Sequence, residues 1–168
     1  GGRIVLDLSE GSSQRLIVGK RAAATVRPAG GDGRGAASGG SGFRYRLSVN
    51  SAFERSWQAC VDAHGLDWLG FREIRASYLA LHQAGDGGRP DQPRGLSIEL
   101  WDEQSGALVS AEVGCLVGCC YTCLSLFAAT ESHPRCDQVR AQAAVLWLRK
   151  AGVQLFDAGT TAAYFVQL

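Results

Sequence analysis

Methionine is absent from this 168-residue chain, even at position 1, and lysine supplies only two of the seventeen basic residues. The missing initiator predicts a fragment or a processed product, truncated at both ends, so a targeting segment is not visible. No apolar run reaches the ~18 residues of a membrane span, and we therefore predict no membrane partner. Charged residues are scarce at 20%, while hydrophobic residues reach 46%. That balance excludes a largely disordered chain and allows one sizeable core.

Excess positive charge is nearly missing as well, since the formal net charge is +1. The charge is unevenly distributed: residues 1–50 carry +5 and the remainder carries −4. A basic N-terminal third fits contact with RNA phosphates. A solvated surface is the commoner meaning of such a charge pattern, and both interpretations stay open at this point.

Alternation of apolar and polar residues predicts strands, and apolar residues three or four apart predict helices. The predicted strands are 3–8, 43–50, 96–102, a meander over 107–128, and 153–159. The predicted helices are 14–27, one capped by Asn50 or Ser51, 72–84, and 135–151 with Val139, Ala143 and Leu146 facing inward. The Gly/Ser-rich residues 28–42 predict a flexible loop. This order predicts one α+β domain over 1–168, with a mixed, mainly antiparallel sheet flanked by helices.

Four of the six cysteines, Cys115, Cys119, Cys120 and Cys123, fall within nine residues. In an extended strand, Cys119 lies ~13 Å from Cys115 and from Cys123, too far for one metal ion. A Cys120-x-x-Cys123 hook requires a tight turn, and the intervening YT is not a turn signal. A disulfide between adjacent strands stays open, but the favoured interpretation is small apolar side chains in a packed sheet. We predict no metal and no other cofactor, and an intracellular location in the cytoplasm or an organelle matrix.

Eight short motifs follow one another along most of the chain. They are R-x-V-L (3–6), YRLSVNSAF (45–53), DWL (67–69), YLALHQAG (78–85), SIELW (97–101), GCLVG (114–118), LSLFA (124–128) and LFDAG (155–159). In this order they resemble the leucyl/phenylalanyl-tRNA–protein transferase family, from Arg3 to about Gly159. The resemblance implies a fold similar to the GNAT acyltransferases.

The resemblance also implies a reaction, in which Leu or Phe passes from a charged tRNA to an exposed N-terminal Arg or Lys of a protein. Asp157 would then orient or deprotonate the attacking amine, and Trp68 would help to form the binding cleft. The remaining substrate-binding candidates, by position in the motifs, are Leu124, Ser125, Phe127 and Gly159. The candidates for RNA contact in the basic N-terminal third are Arg3, Arg15, Lys20, Arg21 and Arg27.

The chain departs from the family pattern at the reacting centre. Leu124 stands where the family has the Glu of E-S-M-F-S, and Gly159 stands where it has a Gln. The family's tryptophan-rich N-terminal box is also absent. Two hypotheses therefore stay open: a diverged aminoacyltransferase, and a catalytically inactive module in a larger protein or a ribonucleoprotein complex such as a ribosome. Coenzyme A is not predicted, because the helix after the meander begins ATESHPRCDQ, without the glycines of a pyrophosphate loop.

Overall fold

This computed structural model describes residues 3–7, 43–65, 68–85 and 92–160, and these residues contain six strands and three α-helices. For residues 3–7 and 159–160 the description covers the backbone alone. The strands are β1 (Arg3–Asp7), β2 (Tyr45–Val49), β3 (Arg94–Asp102), β4 (Leu108–Val117), β5 (Cys120–Ala128) and β6 (Leu155–Thr160). The helices are α1 (Phe53–His64), α2 (Arg72–Ala84) and α3 (Cys136–Lys150). Within these residues, no helix combines the length and the apolar character that a bilayer crossing requires.

The strands form one sheet in the order β1-β6-β5-β4-β3-β2. Every neighbouring pair among the described strands is antiparallel except β5 and β6, which α3 connects in parallel. The helices α1 and α2 lie on one face of the sheet, and α3 lies on the other. This arrangement confirms the predicted α+β class and the mixed, mainly antiparallel sheet.

The periodicity of the sequence predicted most of these elements to within a few residues. The predicted helix 72–84 is α2, and the predicted helix 135–151 is α3. The predicted strands 43–50, 96–102 and 153–159 correspond to β2, β3 and β6. The predicted helix 14–27 and loop 28–42 lie outside the described residues. A single domain over 1–168 and the GNAT-like architecture stay predictions.

The start of α1 is fixed by a carboxylate from a neighbouring strand, so the predicted cap by Asn50 or Ser51 is wrong. The N-terminal cap position is Ala52, whose N–H donates to Glu99 Oε1 at 3.2 Å. Asn50 instead has φ 58°, and its Oδ1 accepts a hydrogen bond from Ser97 N–H at 3.1 Å. The buried Glu99 places negative charge where the helix dipole favours it. A residue 47 positions away thus replaces the local cap.

The opposite face of the sheet is packed by α3, whose small residues allow close approach. Ala143 and Ala144 are buried, and Val139 is partly buried, as the predicted inward stripe requires. Leu146, however, is 61% exposed, so its predicted inward position is wrong. It lies about 200° around the helix from Ala144, away from the sheet.

A glycine allows α2 to approach β3 closely. A Cβ atom at Gly95 would lie 2.8 Å from the backbone oxygen of Tyr78 and 3.0 Å from the backbone nitrogen of His82. Both are backbone atoms of a helix, which cannot swing aside as a side chain can. His82 Nδ1 also lies 3.2 Å from the Gly95 oxygen. The absence of a side chain at Gly95 therefore sets how closely the α1/α2 layer approaches the sheet.

Candidate functional site

Asp157 lies on the interior strand β6, between β1 and β5. Its backbone partners are Val5 on the antiparallel side and Thr122 on the parallel side. Phe156 packs into the core under α3, so alternation along the strand turns Asp157 toward the face that carries α1 and α2. The Asp157 residue is only 7% exposed. Ladders on both sides thus hold a buried carboxylate in a fixed position, as a general base requires.

Leu124 coincides with an irregularity in the pairing of β4 and β5. Val113 pairs with Ser125, whereas the next residue, Gly114, pairs with Cys123. Leu124 is therefore the extra residue of a β-bulge, and its side chain is partly buried. Bulges occur preferentially beside active sites, where they redirect a side chain. Leu124, at the position of the Glu in the family motif, is thus the bulged residue of β5. Its leucine side chain brings no polar group to this position.

Ser125 and Phe127 follow the bulge and face α1. Phe127 packs against the cluster that contains Trp57 and Cys60. Ser125 forms a hydrogen bond with Cys60, yet burial dominates and raises the pKa of the Cys60 thiol to about 11. This part of the predicted site is therefore a packed, largely apolar wall with one hydroxyl group.

Trp68 opens a short 3-10 turn, Trp68–Gly70, that precedes α2. The turn is anchored because Trp57 Nε1–H donates to the Leu69 oxygen at 3.1 Å. Leu69 is buried in the same cluster as Phe127, whereas Trp68 is 39% exposed. The turn thus lies on the same face of the sheet as Ser125, with the Trp68 indole at the surface.

For the remaining predicted site residues the structure describes the backbone alone, or they lie outside the described residues. Gly159 lies on β6, two residues after Asp157, with its backbone described. Arg3 opens β1 and pairs with Thr160, but its side chain is outside the description. Arg15, Lys20, Arg21 and Arg27 lie outside the described residues. The structure therefore gathers the candidates from β5, β6 and the 3-10 turn on one face, and the predicted RNA contacts stay predictions.

A buried ion pair joins Glu112 on β4 to Arg140 on α3, and the sequence analysis missed it. Arg140 Nε–H also donates to Ser110 Oγ at 3.0 Å. Both charged residues are at most 1% exposed. The sequence did indicate that Arg140 is buried, because Arg140 lies on the inward stripe of α3, one turn after Cys136. This polar contact locks α3 onto the sheet beneath the face opposite Asp157.

A second cluster, also missed, presents cations at the surface. The guanidinium groups of Arg46 and Arg55 lie 5.7 Å and 5.1 Å from the centre of the Trp101 ring. Trp101 Nε1–H donates to Ser48 Oγ at 2.8 Å, which fixes the indole. Both arginines are exposed. Arginine and aromatic side chains together form surfaces on which RNA bases and phosphates bind.

The clustered cysteines are explained by the β4–β5 hairpin. All six cysteines are free thiols. Cys115 pairs with Thr122, so Cys123 points to the opposite face of the sheet. The turn itself lies at Gly118 and Cys119 rather than inside Cys120-x-x-Cys123. Among the described residues, no group of three or more His, Cys, Asp or Glu side chains is placed to hold a metal ion.

Thiol reactivity should follow this burial pattern. We expect DTNB at pH 8 to modify the exposed Cys119 first. Burial raises the pKa of Cys123 to about 12 and that of Cys60 to about 11. Only about a thousandth of Cys60 is then thiolate at pH 8, so both thiols should react only after unfolding. Mass mapping of the modified peptides checks this, with Cys119→Ser as the control; fast labelling of Cys60 in the native protein would contradict it.

The profile of the family described as leucyl/phenylalanyl-tRNA protein transferase matches residues 41–168, which include β2 to β6 and the candidate site. The chain belongs to this family. The match confirms the resemblance inferred from the eight motifs and covers both Leu124 and Asp157.

Individual members of the family show the extent of the similarity. The leucyl/phenylalanyl-tRNA–protein transferase of Ruegeria pomeroyi is 31% identical over 126 residues, which are 74% of this chain and 52% of the relative. The transferase of that name from a Synechococcus species is 33% identical over 117 residues, covering 70% and 53%. That from Anaeromyxobacter dehalogenans is 32% identical, covering 67% and 44%. The chain thus spans about half the length of the curated relatives it matches.

Proposed function

We propose that this protein transfers an aminoacyl group from a charged tRNA to the N-terminus of a protein. The observation that carries the proposal is the position of Asp157, a buried carboxylate held between two strands at a family motif and next to a bulged strand. The names of its relatives support leucyl-tRNA or phenylalanyl-tRNA as the donor. The acceptor is a protein whose first residue is Arg or Lys, as the family resemblance implies.

The chemistry requires an unprotonated amine close to an ester. The acceptor α-amine attacks the ester carbonyl carbon, a C–N bond forms, and the C–O bond to the tRNA ribose breaks. The proton lost by the amine ends on the ribose oxygen that leaves. Asp157 orients the amine and accepts its proton in transit, a role worth about 100-fold or more in rate. Thr122, the cross-strand partner of Asp157, carries the hydroxyl group beside it in the register. Leu124 and Gly159 contribute no side-chain donor or acceptor.

Binding of the donor requires an apolar wall and cations. Phe127 and the cluster around Trp57 form an apolar wall on the Asp157 face. Arg46 and Arg55, ordered over Trp101, offer cations to the phosphates of the tRNA. The six free thiols support placement of the protein in a reducing compartment, the cytoplasm or an organelle matrix.

The test is a transfer assay on the 168-residue chain. Radiolabelled leucyl-tRNA or phenylalanyl-tRNA is incubated with a peptide that begins with Arg, and label in the peptide is measured. We expect transfer by the wild-type chain and about 100-fold slower transfer by Asp157→Asn, because the amide cannot accept the proton. Asp62→Asn, an exposed substitution on α1, is the matched control and should leave the rate unchanged.

The inactive module is the second candidate, and it is favoured by Leu124 and Gly159, because neither residue supplies a polar side-chain group. Wild-type transfer no faster than the rate without protein would contradict the enzyme. Co-migration of the chain with a larger assembly on a sizing column would then support the module. Equal rates for wild type and Asp157→Asn would leave transfer intact but contradict the role of Asp157.

A further inference from the structure

A cavity of about 710 Å³ opens between the edge strand β2, the first residues of β3, the end of β4 and the C-terminal end of α3. Leu96 and Leu116, which line it, belong to the apolar cluster under α3, so the cavity lies on that face of the sheet. Its volume falls within the range of ligand pockets in proteins. The sheet itself separates it from Asp157, so a ligand bound here is not at the reacting centre.

Arg94, at the start of β3, supplies a cation to this cavity. Its Nε atom is buried and has no hydrogen-bond partner among the described residues. No other side chain among the described lining residues is charged, so none of them neutralises the guanidinium. A buried N–H without an acceptor is costly, and the planar guanidinium group pairs best with an oxyanion that it binds through two parallel hydrogen bonds. The cavity therefore fits a ligand that carries an oxyanion.

The rest of the wall favours a carboxylate over a phosphate. Apolar side chains form most of it, namely Leu47, Leu96, Leu116 and the partly buried Trp147. One guanidinium matches the single charge of a carboxylate, whereas a phosphate monoester carries close to two charges and needs further donors. An ammonium group would find no carboxylate on the described wall, which disfavours a free amino acid. The best match is a carboxylate attached to an uncharged, apolar body.

The rim of the cavity offers hydrogen bonds to a peptide group. Asn50 is exposed on this rim, and its Oδ1 accepts a hydrogen bond from Ser97 N–H at 3.1 Å, which leaves its amide N–H groups to donate to a ligand carbonyl. The neighbouring strand β2 is the edge of the sheet, so its outer backbone groups have no strand partner among the described residues. Edge strands bind extended peptides through such backbone groups. Peptide groups next to the carboxylate therefore find partners here.

We propose that this cavity binds the C-terminus of a peptide or protein whose last residue is apolar. The terminal carboxylate pairs with the Arg94 guanidinium, and the last side chain packs against Trp147. The preceding peptide groups bind at Asn50 and along the edge of β2. The inference does not rest on the proposed aminoacyl transfer, since it concerns the opposite face of the sheet and involves no tRNA.

Binding is measured by isothermal titration of the wild-type chain with four probes. They are the acetylated tripeptide Ala-Ala-Leu with a free carboxylate, the same tripeptide with a C-terminal amide, free leucine, and 4-phenylbutyrate. We expect the peptide acid to bind about tenfold or more tighter than the amide, because only the acid forms a charge-assisted pair. Free leucine should bind more weakly than the peptide acid because of its ammonium group, and 4-phenylbutyrate because it has no peptide group.

Variants of the cavity separate charge from packing. Arg94→Gln should lower the ratio of acid affinity to amide affinity to about one, and Arg94→Lys should retain part of this ratio. Trp147→Leu should weaken the acid and the amide alike, by about fivefold, since it removes apolar contact area without changing the charge. Arg72→Gln, an exposed substitution on α2, is the matched control and should bind as the wild type does. Urea midpoints establish that each variant is folded.

Three results would overturn the proposal. The first is equal affinity of the wild-type chain for the peptide acid and its amide, and the second is an unchanged ratio of these affinities in Arg94→Gln. The third is binding of 4-phenylbutyrate as tight as that of the peptide acid, since the ligand would then be a free organic acid. Failure of aminoacyl transfer in a chain that retains the Arg94-dependent ratio would contradict the proposed function and leave this inference standing.

Discussion

Replacing Arg140 by Met should lower the free energy of unfolding by about 3–5 kcal/mol, the usual cost of breaking a buried ion pair from one side. Methionine keeps the length and the apolar stem of the side chain but removes the guanidinium. The carboxylate of Glu112 would then remain buried with its compensating charge removed. Ser110 Oγ would also lose the hydrogen bond from Arg140 Nε. Urea unfolding monitored by circular dichroism measures the effect as a shift of the midpoint at constant slope.

Two further variants show whether the loss of stability in Arg140→Met comes from the broken ion pair or from any change of charge on α3. The double variant Glu112→Leu with Arg140→Met removes both charges and should recover most of the lost stability. Lys150→Met removes an exposed cation from the same helix and should change stability by less than about 0.5 kcal/mol. If Arg140→Met unfolds at the same urea concentration as the wild type, the ion pair does not stabilise the packing of α3.

The second large effect is expected on the other face of the sheet. Trp57→Ala should cost about 3–5 kcal/mol, because it empties a large buried volume. Trp57 is 1% exposed and its ring packs against Phe53 and Tyr78. The substitution also removes the hydrogen bond to the Leu69 oxygen, which anchors the turn that carries Trp68. The same urea experiment measures the loss, and fluorescence of Trp68 should shift as its turn loosens.

Trp57→Phe separates packing from hydrogen bonding, since it retains a ring and loses the indole N–H. We expect it to cost less than Trp57→Ala but still to release the turn. Leu146→Ala, at an exposed site on α3, is the matched apolar truncation and should be nearly neutral. A loss below 1 kcal/mol for Trp57→Ala would show that α1 is not held by this side chain.

The sequence predicted the secondary structure correctly where that structure depends on residues close together in the chain. Alternation placed β2 and β3, and helical spacing placed α2 with its bounds. It failed where a distant residue decides the local outcome. Asn50 is a good capping residue, yet Glu99 reaches the start of α1 from β3 and leaves Asn50 to bind Ser97. A capping rule that considers only adjacent residues cannot predict a hydrogen bond from Glu99, which is 47 positions away.

The candidate site was foreseeable only in its residue types. The motif LFDAG placed Asp157 on a strand, and the strand is an interior one. The bulge at Leu124 depends on how β5 pairs with β4, and the sequence of β5 alone does not determine that register. The cavity at Arg94 lies between β2, β3, β4 and α3, which are brought together only by the tertiary fold. For the same reason the sequence did not pair Glu112 with Arg140, although Arg140 lies on the inward stripe of α3.

The pairing of β1 with β6 has a consequence for the order of assembly. Residue 5 meets residue 157 across this ladder, so closing it brings together segments separated by almost the whole chain. Contacts of such long range form late, because the intervening chain must first lose much of its freedom. During synthesis β1 would wait without its partner until residues 155–160 have left the ribosome. The carboxylate on which the chemistry depends would therefore gain its second flanking strand in the last stage of maturation.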